Sequence, residues 1–106
     1  MKTLNLSVLD RVKLPELLPQ QGNKIEMILV NSIAKMTDFS PAEISEFAMR
    51  DESGLVSWKN GRDAEFEFTA EQVEVLKSAS RRADENKQVT RQNLPLIEKI
   101  DGLKND

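Results

Sequence analysis

Three reciprocal caps divide this chain into helices. Ser40-Pro41-Ala42-Glu43 is the strongest start: the serine caps, the proline suits the first turn, and the glutamate reaches back to the cap. Thr69-Ala70-Glu71-Gln72 repeats the device with a glutamine, and Ser7 with Asp10 is a variant of it. The residues after each cap have helical spacing. Ile44, Phe47 and Ala48 recur at i, i+3 and i+4, which predicts a helix over about 41–50. Val73, Leu76, Ala79, Ser80 and Ala83 form an inward stripe on a helix of about 70–86. After Ser7, Leu9, Val12 and Val8 face inward from a short helix whose regular part Pro15 should end, because the residue before proline disfavours helix.

Two further helices rest on weaker signals. Asn23 caps a segment of about 24–37 in which Ile25, Ile28, Leu29, Ala34 and Met36 share a stripe. Met27, Val30 and Ile33 widen that stripe, so this helix is expected at the centre of the core, buried on more than one side. Thr90 or Asn93 caps a last helix with Leu94, Ile97 and Ile100 inward, Pro95 in its first turn and Gly102 as its stop. Residues 103–106 are expected to fray.

The β signal lies between the helices. Ala64-Glu65-Phe66-Glu67-Phe68 alternates, with Ala64, Phe66 and Phe68 on one face and both glutamates on the other. Leu55 to Trp58 is β-prone, and Asn60-Gly61 between the two runs is a turn signal, so the pair reads as a hairpin with one wet face. Asp51 to Gly54 reads as punctuation, and Leu14 to Pro19 as an apolar elbow before a loop at Gln20 to Asn23. The expected fold is α+β: one small, mostly helical domain over residues 1–106, with about five helices and one antiparallel β-hairpin.

Composition narrows the chemistry. The 106 residues include no histidine, cysteine or tyrosine. That removes His general bases, thiolate nucleophiles, the common zinc ligands and disulfides. The four glycines stand apart, so there is no phosphate-cradling loop, and no EF-hand pattern occurs. The carboxylate pairs Glu43/Glu46, Glu65/Glu67 and Glu71/Glu74 read as solvated charges. A non-enzymatic protein without metal or other cofactor is expected. Met27 to Val30, the longest apolar run, is too short to span a bilayer, and Met1 to Leu9 lacks a signal-peptide pattern, so the expectation is cytoplasmic. A net charge of −3 argues against a surface that embraces nucleic acid as a whole.

A few residues carry the functional candidates. Trp58, the single tryptophan, either anchors the hairpin's inner face or offers an interface hot spot. Leu17 and Leu18 of the elbow either join the core or form a docking patch. An exposed hairpin strand and the wide helix 24–37 suggest a protein partner, including a homodimer. Alternatively, Lys77, Arg81, Arg82 and Arg91, with Lys87, could meet phosphates, the hairpin acting as the wing of a winged helix and 41–50 as the recognition helix. Against that, the outward residues of 41–50 include Glu43 and Glu46, and Glu74, Asp84 and Glu85 interrupt the basic cluster.

Leu9-Asp10-Arg11, Leu17-Leu18-Pro19, Gly22, the acidic turn at Gly54 with Val56 and Trp58, and Asn93-Leu94-Pro95-Leu96-Ile97 together resemble small bacteriophage- and prophage-encoded proteins of unknown function. The resemblance spans most of the chain through structural motifs and supplies no catalytic residue. It implies an accessory role, such as an assembly or host-modulating factor that acts by binding protein.

Overall fold

The computed structural model describes residues 1–103. They run β1 (Lys2–Leu6), α1 (Val8–Leu17), α2 (Lys24–Thr37), α3 (Pro41–Glu46), β2 (Arg50–Glu52), β3 (Leu55–Ser57), β4 (Ala64–Phe68), α4 (Ala70–Glu85) and α5 (Leu94–Asp101). The fold is α+β, with five helices and two small antiparallel sheets among the described residues.

Every capping box closes as its spacing requires. The side chains of Ser7, Ser40 and Thr69 accept the N–H of Asp10, Glu43 and Gln72, and the side chain of each of those three accepts the N–H of its cap in return. Asn23 accepts from Glu26 N–H at the start of α2. At α5 the cap is displaced: Asn93 makes no side-chain cap bond to the helix and instead exchanges reciprocal bonds with Thr90. Helix α1 runs past Pro15 to Leu17. The missing N–H of Pro15 costs one helical bond, but Leu14 and Leu18 are 1 % and 4 % exposed, and their burial holds the last turn in place.

The sheet pairing departs from the expected hairpin. Ala64, Phe66 and Phe68 do share one face, but their strand pairs with β1, not with the segment before it. Leu4 lies opposite Phe66 and Leu6 opposite Ala64, while Thr3 and Asn5 face Glu67 and Glu65 on the wet side. Residues 2–6 alternate as strictly as 64–68, so two half-buried strands match face to face. The hairpin of this fold is β2–β3, with Arg50 opposite Ser57 and Glu52 opposite Leu55. Its turn is Ser53-Gly54, both with positive φ (53° and 82°), the two-residue geometry that matches strand twist. Asn60-Gly61 has another purpose. A Cβ on Gly61 would lie 2.7 Å from Val8 Cγ2 and 3.1 Å from Trp58 Cδ1, so glycine is there because two side chains pack against its backbone.

One core joins the elements. Leu4 and Leu6 of β1, Phe68 of β4, Leu14 of α1, Val30 and Ile33 of α2, Leu76 of α4, and Leu96 and Ile100 of α5 are all buried. The central helix is α4, which buries Val73, Val75, Leu76, Ala79, Ser80 and Ala83. Helix α2, expected at the centre, buries only Val30, Ile33 and Thr37, and leaves Ile25 and Ile28 exposed. Its wide apolar surface is therefore only partly covered within the chain. In α5, Leu96, Ile97 and Ile100 point inward, while Leu94 is half exposed. Leu103 is buried and continues the core beyond Gly102; the rest of the expected fraying segment, 104–106, lies outside the described residues.

Gly61→Ala is expected to lower stability by about 1–3 kcal/mol through overpacking, seen as a lower urea midpoint with an unchanged slope. An unchanged midpoint would mean that Trp58 and Val8 make room for the methyl group.

Candidate functional site

The buried side of α1 differs from the expected Val8, Leu9 and Val12: Val8 and Leu14 are buried together with two charged residues, while Leu9 and Val12 are only half-buried. Asp10 is 1 % exposed and Arg11 is 3 % exposed. Asp10 accepts the Ser7 N–H at 3.0 Å and pairs with Lys99 of α5 at 2.5 Å. Arg11 points the other way, toward the end of α2. Its Nε donates to Thr37 O at 3.0 Å and its Nη2 to Asp38 O at 2.9 Å. Nη1 and Nη2 hold both oxygens of Glu43 at 2.7 and 3.0 Å. The guanidinium also lies over the rings of Phe39 at 4.1 Å and Phe66 at 5.2 Å.

These contacts fasten residues 38–62 to the body of the molecule. Phe47 is fully buried and meets Phe39 edge to face, with centroids 6.5 Å apart. Lys59 N–H donates to Phe47 O at 2.8 Å, which ties the far end of the hairpin to the end of α3. Arg62 pairs with Glu46 and lies over Phe47. The Arg11 guanidinium, with help from the Ser40 backbone, pulls the Glu43 carboxyl from an ordinary 4.5 to about 2. The hydrogen bond and charge of Glu46 raise Arg62 above its ordinary value.

Between this segment and the body lies a cleft of about 460 Å³. Val12 and Pro15 of α1 and Ala34 of α2 form one side; Ile44, Met49 and Val56 form the other. Arg11, Asp38, Phe39, Arg50 and Asp51 also border it. Ile44 is 45 % and Val56 37 % exposed, so apolar side chains face water across the opening. Asp51 and Val56 are cross-strand partners in the hairpin. Leu55, paired with Glu52, is 77 % exposed. Among the described residues no three Asp or Glu side chains converge to hold a metal ion. Glu43 is occupied by Arg11. The cleft's lining suits apolar contact.

The residues singled out from sequence fall in several places. Trp58 is half-buried beside Gly61. Leu18 belongs to the core and Leu17 packs against it. Lys77 and Arg81 line one polar recess together with Asp84 and Asp101. Arg82 lines a different recess with Lys13 and Glu16. Arg91 is exposed and lines neither of these recesses. As a recognition helix α3 is poorly suited: it ends at Glu46, and both its glutamates are engaged by arginines. Periodicity and motif spacing do not point to the cleft. Its one signal in the sequence is the pair Asp10-Arg11 between Ser7 and Leu14 on the buried stripe, a charged pair at core positions.

Comparison with protein-family models, with curated proteins and with solved structures yields no match. Among the described residues, no helix is long and apolar enough to cross a membrane.

Removing Arg11 leaves Glu43 with only the Ser40 N–H as a donor and strips two helix-end carbonyls of their guanidinium bonds. Arg11→Met is expected to cost about 3–5 kcal/mol, measured by urea denaturation, and the double change Arg11→Met/Glu43→Met is expected to recover part of it. A double variant no more stable than Arg11→Met would show that the two carbonyls dominate.

The lowered Glu43 pKa sets a pH dependence. Because the folded value lies below the ordinary one, the pair contributes stability that is full above about pH 4.5 and is lost as pH falls through about 2. Glu43→Gln is expected to be less stable than the wild type by about 2 kcal/mol at neutral pH. The gap should close as pH falls from about 4.5 to about 2. A gap constant across that range would remove Glu43 ionisation as its source.

Proposed function

We propose that this chain is a non-enzymatic protein-interaction module whose docking surface is the cleft between α1, α2 and the β2–β3 hairpin. The observation that carries this reading is the apolar opening: Ile44 and Val56 are exposed across a recess of about 460 Å³, with Leu55 exposed on the same hairpin. Surfaces of this kind mark contact sites, because isolated apolar side chains are ordinary whereas a lined apolar recess is not. A short two-stranded hairpin is marginal alone, and a partner covering Val56 on its cleft face would add to its packing. An accessory role of the sort encoded by bacteriophages and prophages accords with this reading. The basic residues of α4 are interleaved with carboxylates, which favours a protein partner over a nucleic acid.

The test is capture from lysate with tagged wild type and tagged Val56→Asp, washed at low and high salt, with circular dichroism confirming that both are folded. The expected result is a protein retained at high salt by the wild type and lost from the variant. Capture of nucleic acid that is released at high salt and lost in Arg81→Ala/Arg82→Ala would overturn it and favour phosphate contact.

A further inference from the structure

Helix α2 carries a second unpartnered surface, on its opposite side from the core. Lys24, Ile28, Asn31 and Lys35 recur at i, i+4, i+7 and i+11, so they share one face. Ile28 is 58 % exposed, and Ile25 beside it is 72 % exposed. Neither lysine forms an ion pair among the described residues. The ridge is therefore apolar at its middle and basic at both ends.

The cleft has the converse character. Arg11 is neutralised by Glu43, and Arg50 lies 4.0 Å from Glu52. Asp38 and Asp51 border the cleft with no cation paired to them among the described residues. Arg50 also borders the cleft, so the complementarity rests on Asp38 and Asp51, which stand outside any ion pair among the described residues and face the same solvent as an apolar ridge with two lysines outside any ion pair. Deleting one leucine side chain leaves a cavity of about 150 Å³, so a cleft of about 460 Å³ has room for more than one aliphatic side chain.

We infer that the cleft receives the Lys24–Lys35 ridge of a second copy of this chain. The inference rests on the cleft being a protein-docking surface and names the partner. Ile28 enters the recess, with Ile25 at its edge, and the lysines meet Asp38 and Asp51 at the rim. The two surfaces differ, so the contact is heterologous: each copy offers a ridge to one neighbour and a cleft to another. Ile28 and Ala34 are six residues apart, which puts ridge and cleft about 120° apart around α2. A chain cannot fill its own cleft, and association continues head to tail into a ring or an open filament. A symmetric α2–α2 contact is disfavoured, because antiparallel pairing of this face sets Lys24 against Lys35.

The experiment is light scattering on size-exclusion fractions over a range of protein concentrations, with the wild type, Ile28→Asp, Val56→Asp and their equimolar mixture. Both positions are exposed, and thermal melts check that each variant is folded. The wild type should grow in mass with concentration, while each variant alone stays monomeric. The mixture should form a one-to-one dimer, because Ile28→Asp keeps an intact cleft and Val56→Asp an intact ridge. Lys24→Glu/Lys35→Glu should weaken association. A wild type that stays monomeric at every concentration, a single variant that still associates, or a mixture that stays monomeric overturns the inference. If a monomeric wild type still captures another protein through Val56, only the second copy is excluded and the docking surface stands.

Discussion

The buried guanidinium of Arg11 is the contact on which one whole side of the molecule depends. A helix ends with carbonyls that have no partner inside it. Helix α2 ends without a glycine: Asp38 turns directly into extended backbone at φ −68° and ψ 156°. Arg11 supplies the donors a glycine cap would have arranged, to the carbonyls of Thr37 and Asp38, and places a positive charge at the negative end of the helix dipole. The same planar group grips Glu43 with two bonds, in the first turn of α3. One side chain thus ends α2, sets the start of α3 and fixes the angle between them. A lysine, with its single ammonium centre, lacks the fork that does all three.

Asp10 and Arg11 make α1 the joint of the structure although it is neither the longest nor the most apolar helix. Adjacent residues on a helix point about 100° apart, so the two buried charges reach different neighbours: Asp10 toward Lys99 on α5, Arg11 toward the α2–α3 link. Burying an unpaired charge is costly, and among the described residues no buried side-chain nitrogen or oxygen lacks a partner. Such pairs add little net stability over apolar packing but penalise alternatives that separate them. Their effect here is to select one placement of α3 and α5 around α1.

The range of each interaction decides how much of this structure is legible in the chain. Capping is settled within four residues, and Ser7, Asn23, Ser40 and Thr69 all start helices where their spacing places them. The inner face of β4 is legible for the same reason, since alternation is local. Its partner is not: β1 lies some sixty residues earlier, and the choice of β1 over Leu55 to Ser57 rests on which strand brings leucines to the matching face. Asn60-Gly61 imitates a hairpin turn, but its glycine answers to Val8 and Trp58. Ser53-Gly54 supplies the real turn, from a serine with positive φ that propensity alone would not nominate. The cleft is illegible because its lining comes from separate elements and includes the buried charge of Arg11.

The hairpin gives the cleft its second wall without belonging to the core. All six residues of β2 and β3 are exposed, and the segment is held through Phe47, the Lys59 N–H and the Arg11–Glu43 pair at its root. That division separates two tasks. The buried anchors fix where the hairpin begins and ends, while its tip contributes Leu55 and Val56 to solvent at no cost to the core. A segment with few buried contacts opens at low free energy, and the bonds of Arg11 hold this one to the body of the molecule. The buried ion pair therefore acts as an anchor: it fastens a sparsely packed arm to the body, and the apolar recess lies where arm and body meet.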